Sequence, residues 1–219
     1  MRISLVGTVH EESGLVTVGA LEEILERARP EVIFAEIPST HGDRYKDGSH
    51  ATLESVAVAR YLATRHVDVV PVDLGKPEQT FFEDTKDMIR SIERTSADFR
   101  RLMDAHSAAT RSGGFPYLNS ERCMQAWTDI YREELATIEW IDNPRLRGIY
   151  DRWSHTIELR DIEMLKNIST YSGRASVQRA AFLVGAAHRG SLIEKAAAVA
   201  RTSSTRIDWD LDSFLGIVA

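Results

Sequence analysis

Cys123 is the only cysteine in the chain, so no intrachain disulfide is available, which fits a reducing, cytoplasmic setting. Long hydrophobic runs are missing too. No stretch approaches the ~20 consecutive apolar residues that span a bilayer. The opening run, Ile3 to Val6 before Gly7, is far shorter than the apolar centre of a secretion signal. A membrane role is therefore not expected. Nor is there a basic surplus: 27 Lys and Arg stand against 33 Asp and Glu, for a net charge of −6. Proteins that grip phosphate backbones carry a basic balance or a basic stripe. Here the two signs interleave, most visibly between Glu83 and Arg101, as on a solvated helix face. Nucleic acid is not an expected partner. Finally, no GxSxG, GxxxxGK(S/T), GxGxxG or HExxH motif is present, so the familiar serine-hydrolase, nucleotide-binding and zinc-protease signatures are excluded.

What remains is an ordinary folded composition, 43% apolar and 27% charged over 219 residues, enough to bury a sizeable core. Short apolar runs at Ile3–Val6, Val32–Ile37 and Val67–Val72 read as strands, separated by helical faces at Thr17–Arg29 and from Ser49 or His50 to Leu62. Pro71 places the end of the third strand at a rim. Such alternation predicts βαβ units and a mainly parallel sheet, whose strands read as continuous apolar runs because both faces are covered.

After Pro77 the period changes. Phe81, Met88, Ile92, Phe99 and Leu102 form one helical face. Met124, Trp127, Tyr131, Leu135 and Ile138 form a second, and Leu146 through Ile168 a third. Three long helices are expected, broken at Gly113–Pro116 and at Asn143-Pro144, their aromatic stripe serving as packing core. The sheet pattern resumes at Ala181–Val184, with a helix over Ser191–Arg201 and a last short strand at Ile207–Trp209. The expected architecture is one α/β domain over residues 1–219, its central sheet flanked by helices, with residues 77–172 inserted as a helical cap.

Two histidines stand out. Leu5-Val6 runs into Gly7-Thr8-Val9-His10, and Leu183-Val184 runs into Gly185-Ala186-Ala187-His188. In a parallel sheet both GxxH turns fall just beyond carboxyl strand ends, where open α/β sheets place ligands. Glu36 lies within the apolar run Val-Ile-Phe-Ala-Glu-Ile-Pro. There an ionised carboxylate needs a cation, a metal or several donors, unless it already faces water at the strand end. Arg160 falls on the inward stripe of Trp153, Ile157 and Met164, so it meets either a carboxylate in a structural salt bridge or an anionic substrate group. Asp73 follows the third strand at the rim, as a site residue or as a turn aspartate. Glu11 and Glu12 adjoin His10 as groups that support the site, carry protons or are simply solvated. His41, His50, His66, His106 and His155 show no paired pattern, and Cys123 reads as a packed helix residue.

The segment SLVGTVHEESGLVTVGALEEILERARPEVIFAEIPSTHGDRY resembles the opening of the TraB/PrgY family, which is grouped with TIKI and GumN proteins and is related to erythromycin esterase and ChaN. The family's two GxxH turns match Gly7–His10 and Gly185–His188, its strand-end glutamate Glu36, and the aspartate after its third strand Asp73. Its Glu-Arg-Asp helix motif matches Glu158, Arg160 and Asp161 with Leu159 inserted. The resemblance spans nearly the whole chain in order and implies a hydrolase-like site. TIKI proteins are regarded as metal-dependent proteases, erythromycin esterases as lactone hydrolases without a metal, and ChaN-like members as haem-iron binders.

Three functional expectations follow. The first is a metal-dependent, metalloprotease-like hydrolase of a peptide or small amide or ester. In it His10, Glu36 and His188 hold a divalent ion of the Mn, Co or Zn class, and Arg160 serves the oxyanion or a substrate carboxylate. The second keeps these residues without a metal, one histidine acting as general base. The third is a ligand- or haem-binding regulatory protein. A peptide or small-molecule substrate is the expected partner, and a homo-oligomer is compatible with all three.

Overall fold

In the computed structural model residues 1–75, 77–200 and 207–216 are described. Strand β1 (Arg2–Thr8) leads to helix α1 (Val18–Ala28), then β2 (Val32–Ala35), the short α2 (Gly42–Lys46), α3 (Leu53–Leu62) and β3 (Asp68–Pro71). Four long helices follow, α4 (Gln79–Thr95), α5 (Ala97–Leu118), α6 (Glu121–Ile141) and α7 (Pro144–Ser172), before β4 (Arg179–Gly185), α8 (Arg189–Ala200) and β5 (Asp208–Asp210). The strands form one parallel sheet in the order β3-β2-β4-β1-β5. Pro71 ends β3, an edge strand, where its missing N–H breaks no interior ladder.

Alternation along each strand sorts the core into two layers. Val6, Ile33, Ala35, Ala181 and Leu183 pack against Leu21, Ile24 and Leu25 of α1 and Ala57 and Val58 of α3. Ile3, Leu5, Phe34, Phe182 and Val184 face Met164, Leu165 and Ile168 of α7 and Leu192 and Ala196 of α8. The sheet is thus covered on both faces by helices, as its continuous apolar strands require. The chain leaves β1 and β2 toward one face and β3 and β4 toward the other. Crevices therefore open at the carboxyl ends of the interleaved strands, where loops diverge.

The inserted segment differs from expectation in its breaks. Phe81 to Leu102 is two helices, separated at Ser96, whose backbone is extended (φ −99°, ψ 119°) and whose Oγ accepts from Phe99 N–H to start α5. Gly113–Pro116 does break the helix: Gly114 (φ 60°, ψ −151°) is non-helical, so α5 is two helical stretches across a kink, and a further break falls at Asn119-Ser120. The Asn143-Pro144 start of α7 is as expected, Asn143 capping and Pro144 at the first position. Met88, Ile92, Phe99, Ile130, Ile138 and Ile149 give this four-helix cap its own core. In the C-terminal part, α8 begins at Arg189, two residues before the expected start, and Arg201 lies outside the described residues.

Candidate functional site

The register of β2 and β4 builds the centre of the site. Ala35 pairs with Leu183, and Glu36 follows directly, its N–H still reaching Leu183 O at 3.2 Å. Its carboxylate therefore lies against the turn that leaves β4, where Oε2 accepts the Gly185 N–H at 2.6 Å. A Cβ on residue 185 would sit 3.3 Å from that oxygen, so glycine makes the close approach possible. Oε1 meets Nη2 of Arg160 at 2.5 Å and Nε2 of His188 at 3.3 Å. Arg160, reaching across from α7, also grips Asp73 with Nε at 3.1 Å and Nη2 at 2.7 Å. On the other side His188 Nδ1 lies 2.6 Å from Oδ1 of Asp161, a fully buried carboxylate. Its Oδ2 accepts from Ser191 Oγ at 2.6 Å and Lys195 Nζ at 3.2 Å. Charges alternate without interruption along Asp73, Arg160, Glu36, His188, Asp161 and Lys195.

Burial alone would push Glu36 toward its neutral form. The charge and hydrogen bond of His188, Arg160 and the Gly185 N–H outweigh it, and its pKa falls to about 2. Burial likewise opposes a charge on His188, but Glu36 on one nitrogen and Asp161 on the other raise its pKa to about 9. At neutral pH the pair is carboxylate and imidazolium. Asp161 is held below the usual carboxylate range, burial being overcome by the hydrogen bond from His188. Arg160 is driven further toward its charged state as its bonds to Asp73 and Glu36 override desolvation.

His10 belongs to a different pair. Two residues beyond β1, its Nδ1 lies 3.1 Å from Oε1 of Glu54, an oxygen that also accepts from Thr8 Oγ1 at 2.7 Å. Glu54 is 4% exposed, and its Oε2 has no hydrogen-bond partner among the described residues. The N–H of Leu53 donates to His10 O at 2.7 Å, tying the start of α3 to the histidine backbone. The hydrogen bond to Glu54 raises the His10 pKa above its ordinary value against the opposing effect of burial. The imidazole side chain is 68% exposed and faces a cavity of about 510 Å³ that Glu36, Asp73, Arg160 and His188 also line.

The structure thus links Asp73, Arg160, Glu36 and His188 in one chain of contacts. His10 lies on the same cavity wall but is paired with Glu54, not with Glu36. Glu11 is exposed, and Glu12 Oε1 accepts the Val18 N–H at 2.7 Å, at the start of α1. Glu54 was not among the residues marked by sequence, although it shares a buried helix face with Ala57, Val58 and Tyr61, and a glutamate on such a stripe calls for a partner. Asp161 entered only as part of the Glu-Arg-Asp motif, yet it is the more buried support of His188.

His10, Glu36 and His188 do not fit a metal centre as placed. Glu36 Oε1 already bears a guanidinium and an imidazolium, Oε2 a backbone N–H, and both His188 nitrogens face carboxylates. Among the described residues no group of three His, Cys, Asp or Glu side chains is arranged to hold an ion. Nor does any described helix have the length and apolarity to cross a membrane. Fold and site define a doubly wound α/β protein with a charged crevice under a helical cap. Compared with known proteins, the chain matches no family model, no curated protein and no solved structure.

Proposed function

We propose that the protein is a hydrolase of esters or amides that activates water with a histidine–glutamate pair and needs no resident metal. The observation that supports this reading is His10: anchored on Nδ1 by a buried glutamate, it lines a cavity that a fixed guanidinium also lines. Bonding to Glu54 assigns the neutral tautomer with hydrogen on Nδ1, so Nε2 carries the lone pair. A raised pKa brings this base closer to neutral working pH, where general-base catalysis is most effective.

Nε2 takes a proton from water while the water oxygen attacks the substrate carbonyl carbon. The carbonyl electron pair moves onto oxygen, beside Arg160, whose Nη1 is not used in the bonds to Asp73 and Glu36. Collapse expels the alcohol or amine, which recovers the proton from His10. Glu36, Asp73, His188 and Asp161 hold Arg160 in place and touch no substrate in this scheme. The cap contributes Phe81, Thr156 and Ile157 to the lining of the cavity.

A panel of aryl esters, lactones and peptide amides assayed with excess chelator tests the proposal. Turnover should persist under chelation and fall about 100-fold or more in His10→Ala. Glu54→Gln should lose less, and the acid limb of its kcat/KM profile should move to lower pH, because removing the carboxylate lowers the His10 pKa. Activity abolished by chelator, or unchanged in His10→Ala, would remove this reading.

A further inference from the structure

Resting on the hydrolytic reading, we infer that the cavity selects uncharged substrates bearing an aliphatic or aryl group and rejects those that carry a carboxylate or phosphate. Two independent features of the cavity lead there.

The first is charge. Among the described lining residues the carboxylates are Glu36, Glu54 and Asp73; Arg160 and His188 are cations in contact with carboxylates, and the His10 imidazole is bonded to Glu54. His50, also on the wall, has a lowered pKa, from burial first and then from nearby His41 and Arg44, and adds no positive charge. Both cations are already matched: Arg160 by two carboxylates, His188 by Glu36 and by Asp161 behind it. An anionic substrate group would thus enter a largely desolvated wall on which Arg160 and His188 are already matched, which is costly. Arg160 has only Nη1 outside its bonds to Asp73 and Glu36, enough for one carbonyl oxygen but not for the two-oxygen fork of a carboxylate.

The second is the apolar part of the lining. Phe81 of α4, Ile157 of α7 and Leu74 after β3 line the cavity together with the charged groups. At about 510 Å³ the space suits a small organic molecule, and its lining, apolar side chains with a few polar groups, is that of a site for a substrate with one polar reacting centre. Phe81 and Ile157 come from the inserted cap, which makes the insertion the specificity element of the site.

Two probes of one shape separate the alternatives: 4-phenylbutanamide, neutral, and 4-phenylbutanoate, anionic. Each is titrated by NMR at about pH 7.5 into the wild type and the Phe81→Ala, Ile157→Ala and His10→Ala variants. The amide should bind at least about 10-fold more tightly than the acid, and each cap variant should weaken the amide by about 10-fold. His10→Ala, which removes the proposed base and not the apolar wall, should keep the preference. Two aryl esters, p-nitrophenyl butanoate and mono-p-nitrophenyl glutarate, are assayed in parallel and should differ in kcat/KM in the same direction. If neither ester turns over but the amide preference and its loss in the cap variants persist, the hydrolytic reading fails and the substrate class stands. An acid that binds as well as the amide, an amide unaffected by both cap variants, or no binding of either probe overturns the inference.

Discussion

His188 has a carboxylate on each nitrogen, and the consequence is a stability that depends on pH from both sides. Its folded pKa of about 9 lies above the ordinary 6.5. The stabilisation it brings is complete below pH 6.5 and is lost as pH rises through 9. Glu36 is the reverse: its pKa of about 2 lies below the ordinary 4.5, so its contribution is complete above pH 4.5 and is lost as pH falls toward 2. The two shifts describe largely the same contact and do not add. Thermal melts of the wild type and His188→Gln should show that the contribution of this pair, read as their difference, is level between about pH 4.5 and 6.5 and declines on the alkaline side. Arg160 is the other residue on which the cluster depends. Arg160→Ala leaves Glu36 and Asp73 facing each other without their cation, and should cost about 3 kcal/mol in urea unfolding. Arg160→Lys should restore only part, since one ammonium cannot reproduce the fork that spans both carboxylates.

Among the elements, the strands were the most legible, because parallel strands buried on both faces leave uninterrupted apolar runs such as Val32-Ile33-Phe34. The cap helices were legible as periodicity and in part as boundaries. Ser96 breaks Phe81–Leu102 with no glycine or proline to mark it, through the local competition of its hydroxyl for the Phe99 N–H. Gly113-Gly114-Phe-Pro carries every mark of a stop, and Gly114 (φ 60°, ψ −151°) does interrupt the helical backbone, leaving α5 as two stretches across a kink. Gly114→Ala should destabilise by about 1–2 kcal/mol, by backbone strain and a close approach to Leu15, as measured by the urea midpoint. Inside the cap, Glu134 is 3% exposed and burial raises its pKa to about 7, with Oε2 lacking a partner among the described residues. Here ionisation opposes folding, so stability falls as pH climbs from 4.5 to 7. Glu134→Gln should therefore gain about 2 kcal/mol above pH 7 and little at pH 4.5.

Across the whole molecule, the strand order β3-β2-β4-β1-β5 decides which distant segments meet. Insertion of β4 between β1 and β2 brings Gly185 and His188 beside Glu36, a contact that spacing alone does not encode. The paired GxxH turns, the misplaced glutamate and the inward arginine were visible in sequence because each breaks the apolar pattern of its own element. Their partnerships were visible only in part: a salt bridge from Arg160 to Glu36 is one alternative the sequence offers, but Glu36 has equal reason to meet His10 or His188 until the sheet order is known. Glu54 escaped because one glutamate on a ten-residue helix differs little from an exposed one until its face is fixed. The central proposal, that Glu54 sets up His10 as a base, is tested most directly by an NMR titration of the His10 ring nitrogens. The wild type should show hydrogen on Nδ1 in the neutral form and a pKa above 6.5 that falls in Glu54→Gln. Hydrogen on Nε2, or the same pKa in both proteins, would contradict it.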